Sequence, residues 1–147
     1  MTNLIILLSS EIELLKNAVL LCRYSFDKSR KIGIKQDYTQ EELVEFEALT
    51  GRFARLSDVL IQKIFRFIDE IELESEGTIR DRINRAEKKG IIKNAETLVE
   101  IRTLRNEIAH EYLPDAIKEI YTEVLNFCPV LLEDSERTLN YCQKYFK

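Results

Sequence analysis

Along most of this chain apolar residues return every three or four positions, the interval that gathers side chains on one face of an α-helix. A first helix is predicted from about Ser10 to Lys28, with Ile12, Leu15, Val19, Cys22 and Phe26 on one side and Ser9 or Ser10 as its cap. Ser29 to Tyr38, which carries Gly33 and mixed charge, reads as a loop or frayed end. Thr39-Gln40-Glu41-Glu42 then has the form of a capping box, in which a hydroxyl and a carboxylate satisfy each other's free backbone N–H groups. It opens a second long helix through Leu43, Phe46, Phe53, Leu60, Ile64, Phe67 and Ile71, predicted to pair antiparallel with the first.

Gly77 and Thr78 mark a break, after which Thr78 can cap a shorter helix carrying Ile79, Ile83 and Ala86 and ending at Gly90. Asn94 is placed to cap a fourth helix from Ala95 to about Glu111, whose apolar arc is Leu98, Ile101, Leu104 and Ile108. Pro114 stops that helix and suits the first turn of a last one through Ile117, Ile120, Val124 and Phe127. Pro129 is predicted to kink or interrupt it before Leu131, Leu132, Leu139 and Cys142. With no internal repeat, low-complexity tract or strand alternation, the expectation is a single all-α domain over 1–147: an up-and-down bundle of four or five helices.

Composition agrees with long helices and few turns: 45% of the 147 residues are hydrophobic, with only 4 Gly and 2 Pro. A formal charge of −4 argues against a generally basic coat for nucleic acid, so any RNA contact has to be local. The basic residues that cluster are Arg80, Arg82, Arg85, Lys88 and Lys89, on the expected outer face of the third helix; they read either as a phosphate track or as solvation of a short helix. Cys22, Cys128 and Cys142 are widely spaced and lack zinc-site spacing, so they read as small core residues in a reducing compartment. The run Leu4-Ile5-Ile6-Leu7-Leu8 has no basic leader and is too short to span a bilayer; no signal or anchor is read, and a cytoplasmic location is expected.

The candidate chemistry concentrates in Arg105-Asn106-Glu107-Ile108-Ala109-His110-Glu111-Tyr112, which holds the single histidine. Histidine can both take and give a proton near neutrality, and an arginine beside it supplies a fixed positive charge. Arg102, Asn106 and His110 form a polar stripe, while Arg105 borders the apolar arc, where a partly desolvated guanidinium needs an anionic partner or a phosphate. Continued as a helix, the segment puts Tyr112 almost directly above Arg105. The plainer reading is a histidine that caps a helix dipole and a snorkelling arginine. Asp58, Asp69 and Glu70 can be imagined as metal ligands but read as charges on the wet side of a helix, and neither a metal nor another cofactor is expected.

Arg105, Asn106, His110 and Tyr112 together resemble the signature of the HEPN superfamily, and in the tyrosine-extended form that of HepT-like toxins. The order of two long helices, a short third and a motif-bearing fourth resembles the HEPN architecture. The resemblance implies a metal-independent endoribonuclease toxin, with His110 and Arg105 catalytic and Arg102 and Asn106 supporting. It implies a two-fold symmetric homodimer as the active unit. It also implies a cognate nucleotidyltransferase antitoxin that silences the toxin by attaching AMP to Tyr112. Geometry points the same way on the dimer: five residues apart on a helix, Arg105 and His110 diverge by about 140°, so they meet only through the reach of Arg or across an interface. The alternative within the same resemblance is a non-catalytic helper subunit that presents substrates to a nucleotidyltransferase.

Overall fold

The computed structural model describes residues 2–147, which form helices and short connections with no strand among the described residues. Helix α1 spans Thr2–Ile32 and starts well before the predicted Ser10. The reason is the Leu4–Leu8 run: Leu8 is fully buried and Leu4 and Ile5 pack on the core, so these residues make the first turns. Ser9 and Ser10 are exposed residues inside the helix rather than its cap. It ends where Gly33 takes φ +73° and donates its N–H to the Ser29 carbonyl at 3.0 Å.

Thr39 caps α2 (Gln40–Asp58) with the predicted box: its Oγ1 accepts from the Glu42 N–H at 3.2 Å and Glu42 accepts from the Thr39 N–H at 2.9 Å. The helix runs on without a break through a π-helical segment, Val59–Ile64, into α3 (Phe65–Ile71). In that segment the Phe65 N–H reaches five residues back to the Leu60 carbonyl. The widened stretch is central: Val59, Leu60, Ile61, Ile64, Phe65 and Phe67 are all buried. Contacts at Ser29–Glu45, Ser25–Arg52 and Glu11–Lys63 show that α1 and α2 run antiparallel, as predicted.

Helix α4 (Ile79–Lys88) carries the predicted Thr78 capping box, now with Asp81, and ends before Gly90 at φ +77°. Helix α5 (Ala95–His110) is capped by Asn94, whose side chain accepts from the Thr97 N–H at 3.0 Å. Its start is fixed further by Glu87 accepting from the Ala95 N–H at 2.7 Å and by the buried Asp134 accepting from the Lys93 N–H at 3.2 Å. Helix α6 (Pro114–Cys142) begins with Pro114 in its first turn and is followed by a 3-10 turn, Gln143–Phe146. Pro129 does not interrupt it. Cys128, Leu131 and Leu132 flank the proline in the core, and their packing offsets the lost backbone bond. Helix α6 packs across α1, α2 and α5, closing the bundle.

Candidate functional site

Burial of Leu98, Ile101 and Leu104 orients α5, and the next residue, Arg105, is left at the edge of the core facing α2. There it meets Asp58. The two planar groups bind in parallel, Arg105 Nε to Asp58 Oδ1 at 2.7 Å and Nη2 to Oδ2 at 2.9 Å, with the side chains 28% and 36% exposed. Hydrogen bonding to Asp58 raises the Arg105 pKa further, outweighing its partial burial, so the guanidinium is permanently charged. The anionic partner required of a border arginine is thus present within the chain.

This pair closes one end of a cleft of about 520 Å³ between α1 and α2, walled by Leu14, Ala18 and Leu21 on one side and Gly51, Ala54 and Val59 on the other. Arg55 and Lys63 also reach into it, so three cationic side chains share the space with one carboxylate, Asp58. Lys63 is only loosely engaged elsewhere, 3.8 Å from Glu11. The walls are apolar and the charge is net positive, an arrangement suited to an anion with an apolar or planar body.

His110 is the last residue of α5 and is exposed, and Asn106 is exposed one turn before it. Neither lines the cleft. Arg102 is half-buried, with its Nε out of solvent and unbonded among the described groups. The structure therefore gathers Arg105 with Asp58 and does not bring His110 to Arg105 within one chain.

Tyr112 departs from the expected position above Arg105. The helix stops at His110 and Glu111 is extended, at φ −89° and ψ 131°. Two features fit this: Leu113, the residue before Pro114, is held off helical backbone so that α5 cannot run on into α6, and the Glu111 carboxylate accepts from the N–H groups of Tyr112 at 3.0 Å and Leu113 at 2.9 Å. Tyr112 consequently stands on the three-residue connector to α6, 83% exposed.

The basic face predicted for α4 is not an open one. Arg85 binds Asp69 through two bonds, Nε–Oδ1 at 3.2 Å and Nη2–Oδ2 at 2.8 Å, and gives Nη1 to the Glu76 carbonyl. Arg82 lies 3.6 Å from the same Asp69, Lys89 is 2.8 Å from Glu72, and Arg80 pairs with Glu96 on α5. Of the five, Lys88 has no ion pair among the described residues. The acidic residues that neutralise this face come from α3, the turn after it and the first turn of α5, which spacing within α4 cannot reveal.

Asp58 and Asp69 correct the sequence reading in the other direction. The wet-side reading fails for Asp69, which is 4% exposed, while Asp58 keeps 36% of its side chain in solvent and holds Arg105 besides. The available signal for Asp69 was its place four residues after Phe65 and eight after Ile61, on the apolar arc of that helix, whereas Gln62, Lys63, Arg66 and Glu70 mark its wet face. Glu72 extends the same network: burial would push its carboxyl up, but hydrogen bonds from Lys89, Tyr141 and Tyr145 hold it at about 2. No protein-family model matches this chain, and no curated protein matches its sequence.

Proposed function

We propose that this chain is a metal-independent endoribonuclease of HEPN type, with Arg105 and His110 as its reacting groups and two copies forming the active unit. One observation carries the reading: Arg105 is held flat by Asp58 at the end of a cleft with excess positive charge, while the single histidine stands exposed one turn further along the same helix. A planar guanidinium so presented suits two oxygens of a phosphodiester.

In the reaction His110 takes the proton of a ribose 2′-hydroxyl as its oxygen attacks the adjacent phosphorus. Arg105 neutralises charge on the non-bridging oxygens as the P–O2′ bond forms. The P–O5′ bond breaks, the 5′-oxygen leaves with a proton from the protonated His110 of the second copy, and a 2′,3′-cyclic phosphate remains. Asn106, exposed between Arg105 and His110, orients the imidazole or the phosphate, and Arg102 adds positive charge behind them. Asp58 positions Arg105 before substrate arrives and competes with the phosphate for it, so the RNA anion has to displace or share that bond.

Control acts through Tyr112. Its hydroxyl is open to a modifying enzyme, and an AMP group added there by a cognate nucleotidyltransferase places a bulky anion two residues from His110, where it excludes RNA. Expression of the chain alone arrests growth and degrades RNA, and His110→Ala or Arg105→Ala removes both effects. Co-expression with the nucleotidyltransferase adds AMP mass to a peptide containing Tyr112 and restores growth, whereas Tyr112→Phe stays toxic. Equal growth arrest by wild type and His110→Ala contradicts the nuclease; rescue of Tyr112→Phe with no added mass contradicts the covalent control alone.

A further inference from the structure

Burial of Leu8, Leu15, Val19 and Cys22 accounts for the inner face of α1, yet its outer face is apolar as well. Leu7, Leu14 and Leu21 stand at seven-residue spacing and are 52%, 50% and 37% exposed, with Leu20 and Tyr24 beside them at 67% and 58%. Leucines every seven residues keep a seam on one side of a helix, the pattern by which two helices pack along a common line. Alongside this ridge the cleft continues as a shallow groove floored by Ala18, Ala48 and Gly51. A Cβ added at Gly51 would meet nothing within 4 Å, so the chain's own packing does not call for glycine there. A mid-helix glycine costs about 1 kcal/mol relative to alanine, and what it provides here is depth in the groove. Ridge and groove on one surface are the two halves of a self-complementary contact.

The charges on α1 reverse about the same midpoint. Glu11 and Glu13 outweigh Lys16 in its first half, and Arg23, Lys28, Arg30 and Lys31 outweigh Asp27 in its second. Their ties within the chain are loose: Glu13 to Lys16 at 3.4 Å and Arg23 to Glu136 at 3.8 Å, all four side chains about half exposed or more. Such pairs are worth little and are easily redirected. Two α1 helices laid antiparallel with a two-fold axis near Asn17 and Ala18 set Leu14 against Leu21 of the second copy and Glu13 beside its Arg23. Asn17, exposed at the centre of the leucine seam, is the polar residue that fixes register in such pairings.

We propose that the outer face of α1 and the adjoining α1–α2 groove form a symmetric interface between two copies of this chain, with their α1 helices crossing antiparallel near Asn17. Leu14, Asn17 and Leu21 also wall the cleft that ends at Arg105, so the second copy roofs that cleft and both Arg105 side chains open onto one enclosed space. This deepens the two-copy reading of the site by naming the surface that makes it.

Sedimentation equilibrium of the full chain from about 1 to 100 µM, a span that brackets micromolar association, shows a dimer for wild type. Leu14→Glu combined with Leu21→Glu gives a monomer with unchanged helicity, because neither side chain belongs to the buried core. Glu13→Arg and Arg23→Glu each weaken the dimer, and together they restore it. Asn17→Cys becomes disulfide-linked between copies under mild oxidant, since the native thiols are buried, whereas Lys88→Cys does not. A wild-type monomer over the whole range overturns the interface, as does a dimer indifferent to the leucine changes with no linkage through Asn17→Cys. A dimer through this face that leaves RNA intact defeats the nuclease reading only; RNA cleavage by a chain that stays monomeric defeats this interface only.

Discussion

Two arginine–aspartate pairs in this molecule have nearly the same geometry and opposite settings. Arg85–Asp69 and Arg105–Asp58 are both parallel two-bond pairs through Nε and Nη2. Asp69, however, is 4% exposed, takes Arg82 as a second cation, and its Arg85 also spends Nη1 on the Glu76 carbonyl. Arg105 has no partner for Nη1 among the described residues, and the cleft it borders holds more cations than carboxylates. The first pair is saturated and ties α4 to α3. The second keeps unsatisfied capacity facing a cavity, which is what binding an external anion requires. Geometry of the pair alone does not distinguish structure from function; the surplus around it does.

The largest expected effect follows from that contrast. Asp69→Ala leaves two arginines without their buried counter-charge and costs about 3–5 kcal/mol, while Asp58→Ala, at a half-open site, costs about 1 kcal/mol. For a chain of this size the second loss lowers Tm by about 2–4 °C. Urea unfolding of the two variants checks this, and equal losses would mean that both pairs serve the fold alike.

Acid sharpens the saturated side next. The Glu72 carboxyl is lowered from 4.5 to about 2 by Lys89, Tyr141 and Tyr145 against the cost of burial. Its stabilisation is therefore present above about pH 4.5 and lost as pH falls toward 2, an effect of about 2 kcal/mol after solvent screening. In Tm measurements across this window, Glu72→Gln is less stable than wild type at pH 7 and the gap closes near pH 2. A constant gap means that packing of the side chain, not its charge, is what α4 uses. The smallest effect lies at the turn behind that network, where Leu73 holds φ 59° and is 85% exposed. Leu73→Gly relieves the left-handed backbone and stabilises by about 1 kcal/mol, read as a higher urea midpoint; destabilisation would mean that Leu73 makes a contact that its exposure conceals.

Most of the scaffold was legible because local signals govern it. Thr39, Thr78 and Asn94 cap the helices that they were assigned to, and Pro114 opens α6. Boundaries set by tertiary packing were not: the Leu4–Leu8 run extends α1, and the core carries α6 through Pro129. The site was half legible. Arg105 at the border of an apolar arc announced a need for an anion, but Asp58 lies 47 residues earlier in the chain, and no helical period links the two. Tyr112 was misplaced because the pull of Pro114 and the Glu111 carboxylate on the backbone outweighs the continuation of the helix. The ion pairs of the α4 charges were not legible, because Asp69, Glu72 and Glu96 lie on other elements and a basic face and a neutralised face have the same sequence.

The most direct test is cleavage of a structured RNA by the purified chain in EDTA. Expected are products ending in 2′,3′-cyclic phosphate, a rate that falls about 10²–10⁴-fold in Arg105→Ala and in His110→Ala, and melting of both variants within a few degrees of wild type. Cleavage that survives either substitution, or that requires an added divalent ion, contradicts the proposed reaction.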